Sequence, residues 1–380
     1  MAGDGRPLLG LYAVGLGLAG AFAWFVSAAG ETLPHELRFL EMAVVDLHRI
    51  ADGRVAAFMV HDRVAFGGTL IAVAVLTLWL IHVPLAARER WAWRLIAVSG
   101  ALGFASFLTW VGYGYFDFWH AVASAALLPL FVVGLALTRP RSGGGPAGDA
   151  GPVGEARLAA HPWPAWRTTA GAGRGLLLLT GMGMVVAGAT ILSLGTVVVF
   201  VPQDTIFIGF DRAALDALNP RLVPLIAHDR AGFGGGLLTV GVLVLGCTAF
   251  GRPSRSLWEG LLVAGSVGFG AAIGIHGLVG YLDPSHVGPA VAGALVFALG
   301  MVLTRPARPA SPLTGSVVGR PNGRRNGGQS GSGGSSGPVS GAGRPNRDPA
   351  VSSFAGSVVG RPNRARPAVP PRRRTRPRVG

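Results

Sequence analysis

Eight stretches of this chain are each apolar over about 20 residues, the length an α-helix needs to cross a bilayer core. No other feature restricts the fold as much. They run roughly over 8–29, 64–86, 95–115, 119–138, 175–201, 231–251, 257–280 and 287–304. The last is the shortest. The first has the look of a secretory signal, because Arg6 precedes it and Val26-Ser27-Ala28 resembles a cleavage site. Its apolar core exceeds the usual 7–15 residues of such signals, and the second half has a span at the equivalent place. It is therefore read as a retained helix. Lipid offers the backbone no hydrogen-bond partner, so spans of this kind are helical. The expected fold class is an all-α integral membrane protein.

The spans fall into two sets of four, because the chain repeats itself. His61-Asp62-Arg63-Val64-Ala65-Phe66-Gly67-Gly68 returns as His228-Asp229-Arg230-Ala231-Gly232-Phe233-Gly234-Gly235. Thr-Arg-Pro follows each histidine, at Thr138 and at Thr304. Between these marks, Asp117-x-x-His120 matches Asp283-x-x-His286, and Gly114-Tyr115 and Gly280-Tyr281 precede them. Such regular spacing reads as a tandem duplication. Four spans is an even number, so the two repeats have parallel topology.

Charge sets the orientation. Arg88, Arg90 and Arg94 lie between the second and third spans, and Arg252 and Arg255 between the sixth and seventh. Short basic loops stay in the cytoplasm. The segments 31–63 and 202–230 hold more acids than Arg and belong outside. Both termini then face the cytoplasm of a bacterial cell membrane. The expected organisation is a first four-helix repeat over 1–140, a Gly/Pro/Ala-rich linker over 141–174, a second repeat over 175–305, and a disordered tail over 306–380. Each outer segment is expected to form a short amphipathic helix on the interface, near Leu37–His48 and over 210–218.

Only 13% of the residues are charged, against roughly 25% in soluble domains. The net charge of +15 sits almost wholly in the tail, where fifteen Arg from Arg305 onward face the single acid Asp348. Phe354 is the only aromatic residue among those Arg, where base stacking would require several. The expected tail partner is anionic lipid head groups rather than a specific nucleic acid, and the span surfaces are compatible with a homo-oligomer. The lone Cys247 excludes an intramolecular disulfide and a CxxC site. A phosphate loop, a zinc-protease HExxH and a serine-hydrolase elbow are all absent from the sequence.

Chemistry can therefore rest only on the repeated polar positions: His61, Asp62, Asp117 and His120 in the first half, and His228, Asp229, Asp283 and His286 in the second. Two readings stay open. In one, each half gathers its two imidazoles and two carboxylates at the outer face as a metal or haem site or a proton relay. In the other, the aspartates cap helix starts, Arg63 and Arg230 snorkel or pair, and Phe-Gly-Gly permits a close crossing. The second needs no ligand and is the default. His276 is deep in the seventh span with Trp110 as its counterpart and no evident partner; His35, His48 and His82 read as interfacial residues.

The segment from Asn219 to Gly235 resembles multi-pass membrane proteins of GC-rich actinobacteria that lack a known function, some bearing a dihydroorotate dehydrogenase label. That label implies a flavin-binding (β/α)₈ barrel, which no part of this sequence can form. The resemblance would make the chain at most a membrane companion of a quinone-linked enzyme. The functional expectation is a non-enzymatic permease or envelope component with no cofactor. The alternative is a membrane redox component that holds haem, quinone or a divalent metal at the outer His/Asp positions.

Overall fold

The computed structural model describes residues 4–30, 32–108, 114–115, 117–140 and 164–306. All regular elements among them are helices. The tail from 307 and the linker over 141–163 lie outside the described residues, as does Trp110.

The first helix, α1 (Arg6–Ala28), carries Pro7 in its first turn, where the missing N–H breaks no helical bond. Two short helices follow, α2 (Pro34–Leu40) and α3 (Val44–Arg49). The chain between them turns through Glu41, whose φ of 50° ends α2. The long α4 (Arg54–His82), then α5 (Arg90–Leu108) and α6 (Phe118–Leu137) complete the first half. The second half runs α7 (Thr169–Val197), α8 (Pro202–Ile208), α9 (Arg212–Leu218), α10 (Leu222–Phe250), α11 (Arg255–Val279) and α12 (Pro284–Leu303).

Seven of these helices, α1, α4, α6, α7, α10, α11 and α12, are long and apolar enough to cross a membrane. The third expected span corresponds to α5, which has 19 described residues and falls short of that standard. Arg90 and Arg94 occupy its first turns, and 109–113 lie outside the described residues.

Two helices begin much earlier than hydropathy alone places them. The expected second span starts at 64 and α4 at Arg54; the expected sixth starts at 231 and α10 at Leu222. The His-Asp-Arg triplets interrupt the apolar windows but not the helices, because their charges are met inside the protein. Arg63 donates to Glu36 at 2.6 Å, and Arg230 donates to Asp204 and to the Val199 carbonyl. The triplets are thus helix-interior residues, and the cap reading of Asp62 and Asp229 does not hold. Asp117 and Asp283 are caps: Asp117 accepts from the His120 N–H and Asp283 from those of Ser285 and His286.

α4 and α10 form the centre. Of their most apolar windows, 72% and 61% is buried, against 11–28% in the other five candidate spans. Glycines set the spacing. A Cβ on Gly188 of α7 would overlap the Leu238 backbone of α10, and one on Gly234 would overlap Leu192 of α7. Backbones that approach this closely let dispersion hold helices together in lipid. Beyond this layer lies a second apolar core that includes Leu40, Leu47, Tyr115, Ile208, Leu215 and Tyr281. The segment between α1 and α4 therefore holds α2, α3 and a 3₁₀ turn (Ile50–Gly53), and that between α7 and α10 holds α8 and α9, where one helix was expected in each; their apolar sides pack down on the ends of the long helices.

Candidate metal centres

Seven of the eight sequence candidates gather where that second core meets α4 and α10, and they pair across the two halves. His61 of α4 does not meet His120. It meets His276 in the last turn of α11 and His286 in the first turn of α12. Potential ligand atoms of these three lie within 4.8 Å of one another. In the other cluster His228 of α10 joins Asp117 and His120 of the first half, again within 4.8 Å. Asp283 stays at its cap and belongs to neither group.

In the first cluster His61 Nε2 stands 3.1 Å from His276 Nε2. The other nitrogen of each ring is committed. His276 Nδ1 is 2.6 Å from the Ala272 carbonyl, and a carbonyl only accepts, so that nitrogen carries the proton. His61 Nδ1 is 3.0 Å from Asp62 Oδ1, and an ionised carboxylate likewise requires N–H there. The two Nε2 atoms face each other at a separation that fits either a shared hydrogen bond or a common cation. Two nitrogens bound tetrahedrally at metal distances of about 2.0–2.1 Å stand about 3.3 Å apart, close to the observed value. The pair therefore suits a bare ion.

The second cluster has comparable spacings. His120 Nδ1 is 3.0 Å from His228 Nε2 and 3.2 Å from Asp117 Oδ2. His228 Nδ1 lies 3.0 Å from Asp229 Oδ1, as His61 does from Asp62. Carboxylates in this position fix the imidazole tautomer and leave Nε2 free to bind a metal.

An outer shell surrounds each group. In the first, Tyr281 donates to Asp204 at 2.8 Å and stacks on His286 with ring centroids 4.4 Å apart; Arg230 lies over Phe58. In the second, Tyr115 lies edge-on to His228, His35 Nε2 is 3.4 Å from Asp117 Oδ2, and Arg63 is 3.9 Å from Asp229 Oδ2. Glu36 and Asp204 also accept from the backbone N–H of Leu33 and Val201, so each short helix delivers its acid in a fixed pose.

Burial alone would raise the Asp117 carboxyl. His35, the His120 ring and the His120 N–H outweigh it and hold the group below the usual carboxylate range. Burial pushes Glu36 up against the opposing pull of Arg63, and burial beside Asp204 raises the Tyr281 phenol.

Several of these residues escaped the sequence reading. His276 and His35 read as isolated, because their partners come from distant helices. Glu36 and Asp204 carried a signal: each stands two residues after a proline, Pro34 and Pro202, that opens a short helix. No family model, curated protein or solved structure matches this chain.

Proposed function

We propose that this multi-pass membrane protein is a metalloprotein with two histidine-rich centres at the ends of α4 and α10. The 3.1 Å approach of His61 Nε2 to His276 Nε2, with His286 beside them, carries the reading. Sites dominated by imidazole suit zinc, copper, iron or nickel. Counted by formal side-chain charge alone, Asp62, Asp204 and Arg230 leave the first cluster one negative charge in excess. Glu36, Asp117, Asp229 and Arg63 leave the second two in excess. Either balance favours a bound cation, and a redox or metal-handling role fits it better than a plain solute permease.

The same reading keeps eight spans in two repeats, with α5 as the third span and both termini cytoplasmic. Matched contacts support the duplication: Trp93 of α5 donates to the Leu135 carbonyl of α6, and Trp258 of α11 to that of Met301 in α12. Arg88, Arg90, Arg94, Arg252 and Arg255 support the orientation.

The test is elemental analysis and absorption spectroscopy on protein purified in mild detergent. Two equivalents of one transition metal per chain are expected. A folded, colourless protein free of metal would overturn the proposal and leave a shared proton as the bridge between the imidazoles.

A further inference from the structure

A cavity of about 600 Å³ opens beside the second cluster, within the range of small-molecule sites. Its walls are mostly apolar and include the rings of Tyr12, Phe22, Phe66, Phe104 and Trp119. Its polar end is formed by Glu36, Arg63, Asp117, His120 and Asp229.

The cavity lies along the seam of α1 and α6. These helices touch at Gly5 and Gly134 and again at Gly15 and Leu127. From there toward Phe22 and Trp119 the cavity lies between them. Leu18 and Phe22 on one side are 66% and 54% exposed, and Trp119 on the other is 57% exposed. In a bilayer such a mouth faces lipid, so the occupant is lipid-soluble.

The polar end selects the head group. Three acids face the single guanidinium of Arg63, which disfavours a phosphate. Asp229 Oδ2 is buried and accepts no hydrogen bond among the described residues. Its nearest cation, Arg63, stands 3.9 Å away, beyond hydrogen-bond distance, and a buried carboxylate oxygen so placed favours a ligand that brings a donor. The aromatic walls favour a flat ring.

We propose that the cavity binds a neutral, lipid-soluble ring bearing a phenolic hydroxyl, of the alkylated hydroquinone class. It enters between α1 and α6 and donates its O–H to Asp229. This goes beyond the metal reading and does not depend on an ion.

The test uses the full chain in lipid nanodiscs, with decylhydroquinone and its oxidised quinone as probes. Bound ligand is quantified after equilibrium partition against empty discs, and metal content is measured on the same samples. Expected is one hydroquinone per chain, with the quinone, which lacks the O–H, bound about tenfold more weakly. Ala123→Phe, which fills the cavity wall, should abolish binding while metal content is retained. Ser124→Phe gives a second blockage should the first variant misfold. Equal binding of the two probes, undiminished binding by folded blocked variants, or hydroquinone excluded by a tightly held phospholipid would each overturn the proposal. Hydroquinone binding to a metal-free protein would support it and sink only the metal reading.

Discussion

At the residue scale the decisive objects are two arginines placed inside membrane helices. Arg63 and Arg230 are buried, and each has an acid delivered by a short helix: Glu36 from α2 and Asp204 from α8. Removing one partner of a buried pair costs about 3–5 kcal/mol, whereas replacing both by apolar residues is often neutral. Asp204→Ala is therefore expected to lower thermal stability in detergent by that amount. Asp204→Leu combined with Arg230→Met should recover most of it, and equal loss in the single and double variants would contradict the pairing. Asp117 adds a pH dependence. Its carboxyl is held below the usual range in the folded protein, so its contribution is fully present above its unfolded pKa of about 3.9. That contribution is lost as pH falls through the lower folded value. The stability gap between wild type and Asp117→Asn, with the variant less stable, should stay constant above about pH 4 and shrink steadily as pH falls below it.

At the element scale α7 lies on α10 with backbone against backbone. Gly188 and Gly234 leave no room for a methyl group, and the obstructing atoms are main chain. Gly188→Ala is expected to destabilise by about 1–3 kcal/mol, as overpacking does. Gly183→Ala, whose Cβ would meet nothing within 4 Å, should stay within about 0.5 kcal/mol of wild type. Equal melting temperatures for the two variants would refute this packing argument. The short helices act at the same scale. Leu40, Leu47, Ile208 and Leu215 are each at most 1% exposed, so α2, α3, α8 and α9 are packed into the second apolar core. Sequence periodicity indicates helical outer segments but not what they lie against, since an amphipathic face fits an interface and a protein core equally well.

At the scale of the whole molecule, the proposed metal reading makes the expected metal count follow from the pairing of the clusters. His61→Ala should lower metal content from two equivalents to one, and adding His228→Ala should remove the second. His120→Ala and His228→Ala act on one centre, so their combination should cost no more metal than either alone, the non-additivity expected of shared partners. His61→Ala with His120→Ala should instead deplete both centres. The opposite pattern would restore a grouping of each half with itself.

The sequence by itself determined that the chain is helical with several membrane-spanning segments. It also singled out the repeated polar residues, since hydropathy, caps and internal repetition are local properties of a chain. His61, Asp117, His120, His228 and His286 were all legible in this way. Tertiary structure alone decided their company. His61 and His276 are 215 positions apart, and no periodicity says which helix will pack on which. Tertiary structure also decided that α4 and α10 continue through their charged triplets, because a buried arginine is tolerated only where another element supplies its counter-charge.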